Sequence, residues 1–157
     1  MKSKTIMLLA AFTAFFAPLA TTSADDKSAA DKSSKVEAGP RKGRILAIGE
    51  PKAEFFVEAD KTVSIKFYDK GNKVVAPEAQ TITATVEAKG GKSKLEFEKK
   101  GDALVSKTKV PEGDNNPIVI QVKTDAKAKP HNFRFKLNLA NCAECSNPEY
   151  ACTCEGH

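Results

Sequence analysis

The chain has 157 residues, 29% of them charged, 41% hydrophobic and none of them tryptophan, with a formal charge of +5. That length suits one domain with a real core rather than two. A basic excess this mild, without Lys and Arg clustered among exposed aromatics, argues against a nucleic-acid partner.

Lys2 and Lys4 precede an apolar stretch running from Ile6 to about Leu19, and small residues follow as far as Ala24. This is the three-part layout of a cleavable secretory signal. Thr13 and Pro18 interrupt the stretch, which is short for a permanent bilayer span of roughly 20 residues. No cysteine stands at the cleavage point to take a lipid. Cleavage after Ala24 leaves 133 of the 157 residues and, with Lys2 and Lys4 gone, a charge of +3 rather than +5. The mature protein is therefore expected in the periplasm or secreted, with no permanent membrane span. Residues 25–41 are rich in Ser, Ala, Lys and Asp, with Val36 as their one large apolar side chain, and are expected to be a flexible linker.

From residue 42 the pattern becomes that of strands, and a β domain is expected over 42–140. Ala53, Phe55 and Val57 alternate with other residue types, as do Val63, Ile65 and Phe67. Ile82, Ala84, Val86 and Ala88 lead through Gly90 and Gly91 to Leu95 and Phe97, a pattern that predicts a hairpin because glycine supplies the positive φ of a tight turn. Further strands are expected near residues 103–108 and 118–122, with Pro111, Glu112, Gly113 and Asp114 making a turn between them. Phe133, Phe135, Leu137 and Leu139 mark a last strand, opened by His131, whose ring is expected to cap the strand or face solvent. Seven or eight short strands and no helical period predict an all-β, antiparallel, immunoglobulin-like β-sandwich, although strand spacing alone leaves a barrel open.

Two stretches of this body resemble a known domain. Phe67, Tyr68, Asp69, Gly71, Lys73, Val75 and Pro77, with Lys100, Gly101, Asp102 and Leu104, are similar to the small β domain near the N-terminus of periplasmic adaptor subunits of heavy-metal efflux pumps. Related stand-alone exported proteins share the pattern. The likeness spans residues 43–139 and lies mainly in turn and core positions, so it implies a fold more than a function. It implies a periplasmic efflux component as a partner. The hairpin and lipoyl-like segments of true adaptors are missing from these residues, so the chain is not expected to be a complete adaptor.

All four cysteines fall in the tail 141–157: Cys142, Cys145, Cys152 and Cys154. In an exported chain an even count defaults to a disulfide staple. A Cys152–Cys154 bridge would close a small, strained ring, which favours Cys142 with Cys154 and Cys145 with Cys152 around a turn at Asn147 and Pro148. The sharper reading is a metal site, because a CxxC pair followed by a CxC pair can wrap four soft thiolates around one Cu(I) or Zn(II). His157 is a further candidate ligand, although a terminal His is more commonly solvated. Thiol exchange ranks third, since residues 142–157 hold Glu144, Glu149 and Glu155 but no Lys or Arg to lower a thiol pKa. Tyr150 is expected to pack on the edge of the β body and pin the tail. No nucleophile, phosphate-loop or zinc-protease motif occurs, and Glu58, Glu87, Glu96 and Glu98 look like outward faces of strands. A non-enzymatic binding protein is the expected class, with no catalytic residues. Its metal reading carries a link to metal efflux, and its alternative is a structural or interaction module with two disulfides.

Overall fold

The computed structural model describes residues 35–154. The signal segment 1–24, linker residues 25–34 and the terminal residues Glu155 and His157 lie outside the described part. Nine strands follow in order: β1 Arg44–Leu46, β2 Lys52–Val57, β3 Val63–Tyr68, β4 Val74–Val75, β5 Thr81–Ala88, β6 Gly91–Lys100, β7 Ala103–Ser106, β8 Asn116–Lys123 and β9 His131–Leu137. A single 3₁₀ turn, Glu149–Ala151, closes the described chain.

Strands form where apolar residues alternate, because successive side chains on a strand point to opposite faces. Phe55, Ile65 and Phe67 from β2 and β3 are fully buried, as are Val86, Leu95, Ile120 and Val122 from β5, β6 and β8. The expected hairpin is present. Ala88 pairs with Gly91, so the turn residues are Lys89 and Gly90, and the positive φ of 116° falls on Gly91.

The strand spacing suggested two facing sheets, but the nine strands make one antiparallel sheet, in the order β1-β2-β3-β7-β6-β5-β8-β9, with β4 paired to β3. It curls until it is nearly closed into a barrel. The cause lies in β6, whose ten residues serve both halves. Thr83 through Ala88 of β5 pair with Glu96 through Gly91, and Phe97 through Lys100 then pair with β7. β6 thus carries the pairing from one half of the sheet to the other.

The ordered body also begins ahead of residue 42, inside the segment expected as linker. Ala38 bridges Arg44, and the Gly39 N–H donates to the Gly43 carbonyl at 2.8 Å. This loop wraps the side chain of Glu54, which is only 1% exposed. Its Oε1 accepts the N–H groups of Arg41 and Gly43, both at 2.9 Å, and its Oε2 accepts the Tyr68 hydroxyl at 2.8 Å. Any Cβ on Gly39 or Gly43 would collide with the Glu54 side chain, and on Gly43 also with the Phe55 carbonyl, so glycine is required there by close approach. Arg41 continues the network to Glu58 at 2.6 Å and Ser64 at 2.8 Å, and lies over the Phe56 ring. Glu58 is therefore engaged rather than simply outward, whereas exposed Glu87, Glu96 and Glu98 pair with lysines on the outer face.

β1 and β9, the two end strands of the sheet, both meet the 3₁₀ turn of the tail. The seam between them is filled by aromatic rings: Phe55 makes edge-to-face contact at 5.5 Å with Phe135 of β9 and with Tyr150 of the tail.

Candidate metal centre

After β9 the chain runs out and back along itself. Tyr150 N–H donates to the Asn138 carbonyl at 3.2 Å, Glu149 N–H to Ala140 at 2.8 Å, and Cys142 N–H to Asn147 at 2.8 Å. The tip is a tight turn in which Ser146 N–H reaches the Cys142 carbonyl at 3.0 Å, with Ser146 itself at a φ of 57°. Cys142 and Cys145 are thereby held on one knuckle. The 3₁₀ turn then brings Cys152 and Cys154 back beside them, with Cys152 N–H bonded to Glu149 at 3.2 Å.

Tyr150 anchors this excursion, as its position in the sequence suggested. It is 2% exposed, and its hydroxyl accepts the Val57 N–H at 3.1 Å. β1 begins opposite Phe55, so no β1 residue stands beside Val57, and the tail supplies the acceptor instead. Arg44 braces the same place from the other end strand, donating to the Tyr150 carbonyl at 3.1 Å while stacking 4.6 Å over Phe135. Nothing in the sequence around Arg44 signalled that role.

The four sulfurs lie within 4.8 Å of one another. Cys142 and Cys152 are 3.3 Å apart, Cys145 and Cys152 3.7 Å, and Cys142 and Cys154 3.8 Å. A disulfide bond needs about 2.05 Å, and no pair approaches it. A tetrahedron of thiolates at about 2.3 Å from a zinc ion has edges of about 3.8 Å, close to the spacings seen. Cys142 and Cys152 are buried, while Cys145 and Cys154 are partly exposed. Among the described residues this is the one group of Cys, His, Asp or Glu drawn close enough to share an ion. His131 is exposed on β9 and takes no part.

The local charge setting suits a cation. Backbone N–H groups of Thr153 and Asn147 aimed at Cys145 pull its thiol down to about 6. Cys154 is pushed far up by the adjacent Cys152 sulfur and by Glu144. For Cys152 the Cys154 N–H, at 3.4 Å, favours ionisation, but burial and the Cys142 sulfur outweigh it and raise the thiol. Four sulfurs this close cannot ionise together unaided; one gives up its proton easily and its neighbours then resist. A dication held by Cys142, Cys145, Cys152 and Cys154 would supply the missing positive charge and displace those protons.

No family model matches the chain, and no curated protein or solved structure matches it significantly. None of these comparisons links the chain to efflux-adaptor domains.

Proposed function

We propose that this is a non-enzymatic metal-binding protein in which Cys142, Cys145, Cys152 and Cys154 hold one soft ion, Zn(II) in preference to Cu(I). The closeness of the four sulfurs, all within 4.8 Å of one another, carries the reading, since four thiolates gathered at that range can share one zinc ion. Four protein ligands leave no open position for substrate, which favours binding over catalysis. The ion would also staple the tail across the seam between β1 and β9. The signal-like N-terminus supports a periplasmic or secreted location for this activity. A role in metal efflux, with docking on an efflux component, rests on the resemblance alone, and the immunoglobulin-like sandwich reading of the β domain rests on strand spacing.

The test is to isolate the protein from the periplasm without added metal, then measure bound metal and titrate thiols before and after chelation. One zinc per chain, with four thiols released on chelation, is expected. Cys145→Ser combined with Cys152→Ser abolishes binding. Copper in place of zinc changes the cargo but not the ligands. Two bridges, Cys142–Cys154 and Cys145–Cys152, with no metal would replace this reading with that of a disulfide-stapled interaction module.

A further inference from the structure

A cavity of about 520 Å³ is bordered by two of the four cysteines, Cys152 and Cys154. Its walls come from β1, β9, the tail and the segment ahead of β1. They bring together three cationic side chains, Lys35, Arg44 and Lys136, against the single carboxylate of Glu149. Phe135 and Tyr150 give it an apolar side, and Asn115 and Asn138 add hydrogen-bonding groups. The tail's own sequence is acidic, so this basic approach is created only by folding. A volume of this order suits a small organic ligand.

The lining bears on how an ion reaches the sulfurs. With three cations to one carboxylate, the lining has a net positive charge that repels a hydrated dication and draws in an anion. Of the two cysteines that border the cavity, Cys154 is the one left partly exposed. Glu144 reaches Cys154 as well, and it too repels anions, but it is outnumbered. Taking the metal site as proposed above, we infer that the cavity receives the ion as a small anionic chelate, a polycarboxylate complex rather than the free cation, and that Lys35, Arg44 and Lys136 position it for ligand exchange onto Cys154. In that exchange the metal–carboxylate bonds break as metal–sulfur bonds form, the thiol protons pass to the released carboxylate or to water, and no electron changes hands.

Stopped-flow transfer of Zn(II) to the metal-free full-length protein tests this with two donors, aquo-Zn(II) and the monoanionic 1:1 zinc–citrate complex. Raising ionic strength from about 10 to 150 mM is expected to slow transfer from zinc–citrate several-fold, because screening weakens steering. Lys136→Glu, at an exposed position on β9, is expected to slow zinc–citrate about tenfold and to speed aquo-Zn(II), with equilibrium zinc affinity unchanged. Lys35→Glu should act in the same sense. A protein that takes zinc from both donors at rates unmoved by salt and by Lys136→Glu, or moved equally for both, overturns this inference alone. A protein that takes zinc from neither overturns the metal reading, and this one with it.

Discussion

Removing the Tyr150 ring tests whether the tail closes the barrel. The side chain is 2% exposed, lies 5.5 Å edge-to-face from Phe55 and stacks on Phe135 at 6.3 Å, and its hydroxyl accepts the Val57 N–H at 3.1 Å. Tyr150→Phe keeps both ring contacts and loses only the acceptor, leaving a partly buried backbone donor unpaired, at a cost of about 1 kcal/mol. Tyr150→Ala also loses the ring, a truncation that costs about 3–5 kcal/mol in a packed site. Thermal unfolding of the zinc-loaded protein should then fall by about 4 °C for Tyr150→Phe and by about 12–20 °C for Tyr150→Ala. Because the same tail carries all four sulfurs, zinc affinity should fall with Tyr150→Ala and hold in Tyr150→Phe. A Tyr150→Ala variant within about 1 kcal/mol of the parent would mean that the tail hangs outside the folded body.

Both tyrosines of the chain should resist ionisation. Burial raises Tyr150 to about 12, and burial with the Glu54 carboxylate raises Tyr68 further. Stability carried by protonated Tyr150 is thus complete below pH 10 and is lost as pH climbs through about 12. Ultraviolet titration should show little tyrosinate at pH 10; half-ionisation there would contradict the burial of both rings. Glu54→Ala strips the acceptor from the N–H groups of Arg41 and Gly43 and from the Tyr68 hydroxyl, and should cost about 3–5 kcal/mol in urea unfolding. A loss under about 1 kcal/mol would show that the loop ahead of β1 is not held by this carboxylate. Ser146→Gly relieves a left-handed backbone position and should stabilise by about 0.5 kcal/mol, while Ser146→Val should destabilise the knuckle, both read from thermal unfolding.

Alternation made the strands legible, because Phe55, Val63, Ile65 and Val86 bury only if every second residue faces the core. The single curled sheet was not legible. Lys99 and Lys100 look like the end of a strand, yet β6 runs through both to pair with β7. Glu54 was missed for a related reason. It shares a strand face with Phe56, and only the loop folded over it turns an outward position into a buried one. The four clustered cysteines could be named as one group from the tail, since CxxC and CxC spacing are local. The basic lining of the cavity was hidden, because Lys35 and Arg44 are remote from the cysteines in sequence and join Lys136, which stands only shortly before the tail, where β1 and β9 approach across the seam.

X-ray absorption at the zinc edge, on protein isolated without added metal, probes the centre directly. Four sulfur neighbours at about 2.3 Å are expected. A first shell of oxygen or nitrogen, or a zinc-free protein whose sulfurs are joined in pairs, would contradict the four-thiolate site.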